Sequence, residues 1–313
     1  MPLPARLPTH PRLREGLVVV DRGDGDAQVG AGPNALVLRG TGAALLRLLG
    51  TLDGTRSLAQ LEQEHVGAGE AVTLLAVHGL LTAPAPPLPP VLLLGAGRLG
   101  RACATALAAA GVPLLLCDPD PPLPGLYPGP PQPTAAAALR LLLQSGGARG
   151  GRHPGPGPVL GMVAHWSEST VRPTLAVLAQ DRCEPDRGIT DTLLRRDVAH
   201  LLVRPLDGGA LVGPLVLPGR SCCTRCTDLY RASRDPAWPQ VLAQLIRRRG
   251  GLDPAAARWA AATALPSVLA ALRGTEPDLV DHTCELRVPR WTSRLRRWPA
   301  HPDCGCDLAR LGA

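Results

Sequence analysis

The stretch that most constrains what this chain can fold into is VLLLGAGRLGRACATALAAAG, Val91 to Gly111. An apolar run leads into Gly95-Ala96-Gly97-Arg98-Leu99-Gly100, an Ala-rich helical segment follows, and a second apolar run, Val112 to Cys117, ends in Asp118. The pattern predicts strand, tight glycine turn, helix and strand, with an acid at the tip of the second strand. In such a unit Gly95 permits the turn, Gly97 lets a phosphate approach the backbone, and Gly100 lets the helix pack closely on the sheet. The helix N-terminus then offers unpaired N–H groups to an anion. Asp118 stands where a ribose-binding acid belongs. A nucleotide fold follows from the pattern. Nucleotide use does not, because the fold is widely reused.

The chain has 313 residues, enough for two domains. Apolar residues make up 45% but aromatic ones only 2%, so the core must be aliphatic. There is no lysine: all 33 basic residues are arginine, which excludes Schiff-base chemistry and a lysine phosphate clamp. Arginine is enriched toward the C-terminus but interleaved with acids and prolines, which argues against nucleic acid as a partner. MPLPARLPTHPRL lacks the apolar core of a signal peptide, and no uninterrupted apolar run reaches membrane-spanning length. The expected location is cytoplasmic, with no membrane partner, and there nine cysteines point to metal or chemistry rather than disulfides.

Residues 1–87 read as a separate module. Short Val/Leu-rich runs split by Gly, Asp and Asn predict two or three strands. Helices follow over Thr41–Leu49, from Ser57 through His65, and over Glu70–His78, the second opened by a Ser57/Gln60 capping box. Small strands with three short helices suggest a winged-helix-like unit. Thr82 to Pro90 is a stiff Pro/Ala linker. Residues 88–313 alternate strands and helices: a helix over Thr134–Gln144, strands at Val159–His165 and Thr174–Ala179, a helix over Asp191–Asp197, and strands at Ala199–Arg204 and Leu211–Leu217. A Gly/Pro-rich insertion, 145–158, interrupts them. Helices at Trp238–Arg248 and Pro254–Leu272 and a strand at Asp281–Pro289 complete the reading. The expected class is α/β, a Rossmann-like, mostly parallel sheet with flanking helices and ligands at the strands' carboxyl ends.

Cys223-Thr-Arg-Cys226 has the spacing that lets two thiolates grip one ion, and Cys304-Gly-Cys306 supplies a second pair. Four soft ligands in two pairs suit a closed, tetrahedral, structural Zn²⁺, stapling the C-terminal tail to the sheet domain. Cys222, Cys284 or His301 could replace one ligand. Cys103 and Cys117 read as core thiols.

The phrases GPLVLPGRSCCTRCTDLYRASRDPAW, Gly213 to Trp238, and HPDCGC, His301 to Cys306, together with the glycine turn and the later acid Asp181, resemble the ThiF-type superfamily of ubiquitin-like-modifier-activating folds. Within it the chain is most similar to the ThiF-like cyclodehydratase partners, or leader-peptide-binding proteins, of thiazole/oxazole-modified peptide pathways. GTRSLAQL and the closing GLL resemble their small leader-recognition domains. The resemblance implies ATP at Gly95, Gly97, Gly100 and Asp118, Mg²⁺ at Asp181 during adenylation of a C-terminal carboxylate, and zinc at Cys223, Cys226, Cys304 and Cys306. Related folds commonly dimerise. Active members carry an Asn, an Arg-Gln pair and a lysine around the phosphates. Here the ribose acid is followed by Pro-Asp-Pro-Pro-Leu-Pro, and only Arg98 and Arg101 stand to replace the lysine, as planar forks rather than point charges. This shortage of positive charge favours a non-adenylating scaffold that binds a precursor leader and docks it to a cyclodehydratase. The alternative is an adenylyltransferase acting on a peptide or small-protein carboxylate.

Overall fold

In the computed structural model, residues 7–23, 25–39, 42–82, 87–146, 159–165, 167 and 172–306 are described. They fall into two units, Met1–Pro87 and Leu88–Ala313. Residues 40–41, at the start of the first expected helix, 83–86 of the linker, 147–158 of the insertion and 307–313 of the tail lie outside the described residues.

In the first unit the Val/Leu runs form β1 (Val19–Asp21), β2 (Ala27–Val29) and β3 (Leu36–Leu38), an antiparallel meander with Val19 opposite Val29 and Ala27 opposite Leu38. Three helices follow, α1 (Gly42–Thr51), α2 (Leu58–Glu64) and α3 (Ala68–Val77). The capping box forms as its sequence dictates. Ser57 Oγ accepts the Gln60 N–H, and Gln60 Oε1 accepts the Ser57 N–H at 2.8 Å. Alternation on the strands and helical spacing on α1 and α3 bring Val29, Leu38, Leu48, Leu49, Leu61, Val72 and Leu75 into one aliphatic core.

The second unit runs β4 (Val91–Leu94), α4 (Arg98–Ala109), β5 (Leu114–Cys117), α5 (Ala135–Gly146), β6 (Val159–Met162), β7 (Leu175–Leu178), α6 (Arg187–Arg195), β8 (Ala199–Leu206), β9 (Gly209–Val216), α7 (Thr224–Ala232), α8 (Trp238–Leu245), α9 (Pro254–Leu272), β10 (His282–Arg287) and β11 (Thr292–Arg297). Its sheet has the order β11-β10-β9-β8-β7-β4-β5-β6. The expectation of a mostly parallel sheet holds from β6 to β8, where every pairing is parallel; β9, β10 and β11 continue antiparallel. The reversal comes from Asp207-Gly208, both left-handed at φ 47° and 85°. Such a pair builds a tight hairpin and leaves no room for a crossover helix.

Pleating sends alternate residues of the central strands to opposite faces. Leu93, Leu116, Val177 and Val203 pack with α4, α5 and α9, and Leu92, Leu115, Ala176 and Leu202 pack with α6. Along α9, Ala256, Ala260, Ala264 and Val268 recur every four residues and are buried, a small-residue ridge that lets α4 pack close. This is the one described helix long and apolar enough to cross a membrane by composition, and that ridge is spent on the core.

Two elements, α7 at the cysteine-rich stretch and the edge strand β11 after Trp291, have no counterpart in the sequence reading, and one expected element changes. The helix expected from Asp191 starts at Arg187, where the Asp186 carboxylate accepts the Gly188 N–H at 2.8 Å.

Leu93 is fully buried in the centre of the sheet. Leu93→Ala should cost about 3 kcal/mol in urea unfolding followed by circular dichroism. Val37→Ala, at an exposed site on β3, should change stability by less than about 0.5 kcal/mol.

Candidate functional site: a cleft at the strand ends and a four-cysteine cluster

The glycine turn sits at the carboxyl end of β4. Gly95 has φ 106°, and a Cβ there would collide with the Ala179 carbonyl, so the turn and the end of β7 touch backbone to backbone. A Cβ on Gly97 would strike the Asp181 carboxylate, and one on Gly100 the Gly95 carbonyl. Asp181, at the end of β7, is itself left-handed (φ 56°) and only 2% exposed. Its oxygens accept the N–H groups of Arg98 at 2.7 Å and Leu99 at 2.9 Å. These are first-turn donors of α4 with no intrahelical partner, and the carboxylate also complements the positive end of the helix dipole. Asp181 therefore binds at the helix start from across the sheet, beside the place the motif reserves for a phosphate.

Asp118, at the end of β5, accepts the Ala96 N–H at 2.6 Å and the Asp120 N–H at 3.2 Å. Burial raises its carboxyl above the usual range despite these two donors, which pull the other way. Asp118 and Gly97 line a cleft together with Asp120, Gln180, Arg182 and Arg249. The two arginines are the residues that sequence reasoning missed. Arg182 follows Asp181 directly, and Arg249 is brought beside it by a bridge between the two backbones. Arg249 pairs with Asp120 at 2.9 Å, but both side chains are nearly half exposed, so the pair is weak and readily exchanged for another anion. Of the sequence candidates, Arg98 is exposed at the helix start. Arg101 donates to the Leu126 carbonyl and lies 5.7 Å from the Tyr127 ring centre, while the Tyr127 hydroxyl donates to the Ala96 carbonyl at 2.6 Å. Arg101 thus holds the proline-rich loop after β5 against the turn.

A second, smaller cleft adjoins the first and shares Gln180 and Arg182 with it. Leu178, Pro185, Leu202, Val203 and Arg204 line the rest. The buried Gln180 Oε1 has no hydrogen-bond partner among the described residues. A buried acceptor left so is destabilising unless a ligand or water donates to it.

Below the clefts the loop after β7 is held by Glu184, 3% exposed, whose carboxylate meets Arg231 at 2.7 Å and Arg187 and Arg204 at 3.0 Å. Burial alone would raise its pKa, but Arg204, Arg231 and Arg187 outweigh burial and hold it below the ordinary 4.5. The stability its charge contributes is complete above that ordinary value and is lost as pH falls through the depressed one.

Away from the clefts, Cys223 caps α7, Cys226 lies one turn on, and Cys304 and Cys306 arrive from the tail. Cys223 Sγ is 3.8 Å from that of Cys226 and 3.5 Å from that of Cys304, and Cys226 Sγ is 3.3 Å from that of Cys306. All four sulfurs lie within 4.8 Å of one another. Four thiolates at about 2.3 Å from a central Zn²⁺ would be about 3.8 Å apart, so the cluster fits a tetrahedral metal site. The hydrogen bond from the Cys223 thiol holds the Cys226 thiol below its ordinary value. The three alternative ligands stand outside the cluster. The Cys222 N–H donates to Asp281 at 2.6 Å, Cys284 is on β10, and the His301 ring packs edge-on against Tyr230 while its Nδ1 accepts the Asp303 N–H.

No protein-family model and no curated protein matches the sequence. Among solved structures, E. coli MccB with ATP is similar over 95% of this chain and 99% of that one, at 12% identity and a TM-score of 0.62. The microcin C7 biosynthetic enzyme MccB in complex with N-formylated MccA is similar over the same shares, at 13% identity and 0.64. PaaA is similar over 91% of this chain and 99% of that one, at 16% identity and 0.59. At these identities the likeness is one of fold, and it agrees with the Rossmann-like α/β class expected from the sequence. The expectation of a non-adenylating scaffold is corrected by these structures. The fold shared over nearly the whole chain is one crystallised with ATP and with MccA, not that of a docking protein. The cleft also holds two cations that the sequence reading did not place there, Arg182 and Arg249.

Asp181→Ala should cost about 1 to 2 kcal/mol through loss of the α4 cap, read in urea unfolding, while Asp181→Asn, whose single amide oxygen can accept only one of the two N–H groups, should recover only part of that stability. No loss in Asp181→Ala would show that the cap contributes nothing.

Proposed function

We propose that the chain is an ATP-dependent adenylyltransferase acting on the carboxylate of a peptide or small protein. The observation that carries this reading is the meeting of Gly97, Asp118, Arg182 and Arg249 around one cleft at the strand ends, with Asp181 directly behind Gly97. An acid for the ribose, a glycine turn for the phosphates and two cations at the cleft are the parts that such a reaction needs, supplied by electrostatic placement rather than by a covalent protein group.

In this reading Asp118 accepts from the ribose hydroxyls and the turn Gly95–Gly100 lets the phosphates reach the start of α4. Arg249 leaves Asp120 for the phosphates, and Arg182 stands between them and the second cleft, through which the acceptor carboxylate enters. Arg98 is the nearest further cation, and Arg101 acts by holding the loop. The acceptor carboxylate oxygen attacks the α-phosphorus, the bond to the bridging oxygen breaks, and pyrophosphate leaves with the electron pair. Asp181 keeps lone pairs beyond the two N–H bonds it accepts, so it can hold Mg²⁺ beside the phosphates and cap the helix. The likeness to structures containing ATP, its analogue AMPCPP and MccA supports both substrate classes. Activation of this kind needs no separate cyclodehydratase. The first unit, whose strands β1 and β3 are edges of its small sheet, would take the acceptor peptide as an added strand.

The cysteine cluster fits a structural Zn²⁺ that fixes the tail to α7. Protein purified without chelators should contain about one zinc per chain by elemental analysis, and Cys223→Ser should lower that content and the melting temperature together. A zinc-free wild-type protein of unchanged stability would remove the site.

Calorimetry with AMPCPP and Mg²⁺ tests the reaction class without needing the acceptor. One site per chain is expected, weakened about tenfold or more in Asp118→Asn and severalfold in Arg249→Ala. No binding of AMPCPP by the unmodified chain would overturn the proposal.

A further inference from the structure

The cysteine cluster and the nucleotide cleft are joined by a continuous set of charged contacts that neither site requires for itself. Helix α7 carries Cys226 and, on its next turns, Asp228 and Arg231. Asp228 is gripped by both Nε and Nη2 of Arg187, at 2.7 and 2.9 Å, and accepts the Trp238 indole N–H at 3.1 Å. Arg187 and Arg231 both converge on Glu184. Glu184 also pairs with Arg204, whose Nη1 donates to the Cys183 carbonyl at 2.9 Å. The backbone so held is the one that carries Asp181 to the start of α4 and Arg182 into the cleft. The same loop meets the segment bearing Arg249: the Cys183 N–H donates to the Arg248 carbonyl at 2.9 Å, and the Gly250 N–H donates to the Asp181 carbonyl at 3.0 Å. A second link, from Thr224 to Thr190 at 3.1 Å, ties the start of α7 to α6.

The Arg187 and Glu184 side chains are largely buried, so a shift of α7 cannot be absorbed by rehydration. Parting Asp228 and Arg231 from their partners would leave buried charge uncompensated, which is strongly unfavourable. The loop and the helix must therefore move together or not at all.

We propose that Glu184 is a positioning residue that couples the two sites, so that metal at the four cysteines and nucleotide in the cleft each tighten the binding of the other. The inference rests on the adenylyltransferase reading and on the zinc site. Filling the cysteine site holds α7, α7 holds Glu184 through Arg231 and through Arg187 with Asp228, and Glu184 with Arg204 holds the loop that presents Asp181 and Arg182. Thermodynamic linkage makes the effect reciprocal: whatever factor zinc adds to nucleotide affinity, nucleotide adds to zinc affinity.

The test uses the zinc-loaded full chain in equilibrium competition with the zinc-selective chelator TPEN, with and without saturating AMPCPP and Mg²⁺. AMPCPP should raise zinc affinity about fivefold in the unmodified protein, within the usual range of such couplings. In Glu184→Gln the factor should fall close to one while each site still binds its own ligand. Should Glu184→Gln fail to fold, Asp228→Asn, which leaves Glu184 with Arg204 and Arg231, serves in its place and should lower the factor. A purely structural role for the cluster would change zinc affinity in the variants but not its response to AMPCPP. Unchanged zinc affinity in a protein that binds AMPCPP overturns the coupling and leaves the adenylyltransferase reading standing. A coupling factor that survives in the variants removes Glu184 from the path, and absence of AMPCPP binding overturns coupling and reading together.

Discussion

Two backbone N–H groups at the start of α4 have no partner in their own helix, and the Asp181 carboxylate supplies it. Much of the second unit's functional geometry follows from that contact. Because the acid stands at the end of β7, binding it to α4 draws β7 against the glycine turn so closely that no side chain is tolerated at Gly95 or Gly97. The residues on either side, Gln180 and Arg182, are thereby delivered to the wall between the two clefts. A glycine turn is usually read as a phosphate cradle alone. Here it is equally a docking surface for the strand that brings the rest of the site.

The composition makes a second constraint visible. Without lysine, every cation is a planar, permanently charged fork with five donors. Such a group suits shared, buried acids: one Glu184 carboxylate satisfies three guanidinium groups, and one Arg187 grips Asp228 through two nitrogens. The chain uses this buried lattice where a core poor in aromatic residues offers little else to pin the loop after β7. Two of its few aromatic side chains lie at the same place, with the Arg231 guanidinium 4.7 Å from the Trp238 ring and 5.6 Å from that of Trp298. Cation–π stacking keeps the charge buried without an extra acid.

What could be read in the sequence was local in origin. The β4–α4–β5 unit, the Ser57 capping box, helix α9 and the two cysteine pairs each announce themselves within a short span, because glycine conformations, cap chemistry, helical period and ligand spacing are properties of neighbouring residues. The hairpin at Asp207-Gly208 is equally local, since an Asp-Gly pair between two apolar runs is itself a turn signal. What stayed hidden was long-range. Nothing near Arg249 says that it faces Asp120, 129 positions away, and nothing near Glu184 shows that it will be shared by arginines from three elements. The identity of α7 was concealed in another way. A Cys-rich stretch with weak helical patterning becomes a helix with Cys223 at its N-cap and Cys226 three residues on.

The shortage of phosphate-binding charge inferred from the sequence shows why such inferences fail. It counted cations adjacent to the motif, whereas the field in a cleft is summed over whatever the fold places around it. In an α/β sheet the ends of strands distant in sequence lie side by side, so the loops after β5 and β7 and the segment after α8 all face the position opposite the glycine turn. A lysine lost from one of them can be replaced by an arginine from another without leaving any local trace. Arg249 does this from beyond α8, reached through a backbone bridge to Arg182. Because it is held only by a half-exposed pair with Asp120, it can leave that carboxylate for an anion at little cost. The proline-rich stretch after Asp118, which lacks the Asn and Arg-Gln pair of active ThiF-type members, carries in Asp120 the resting partner of that cation.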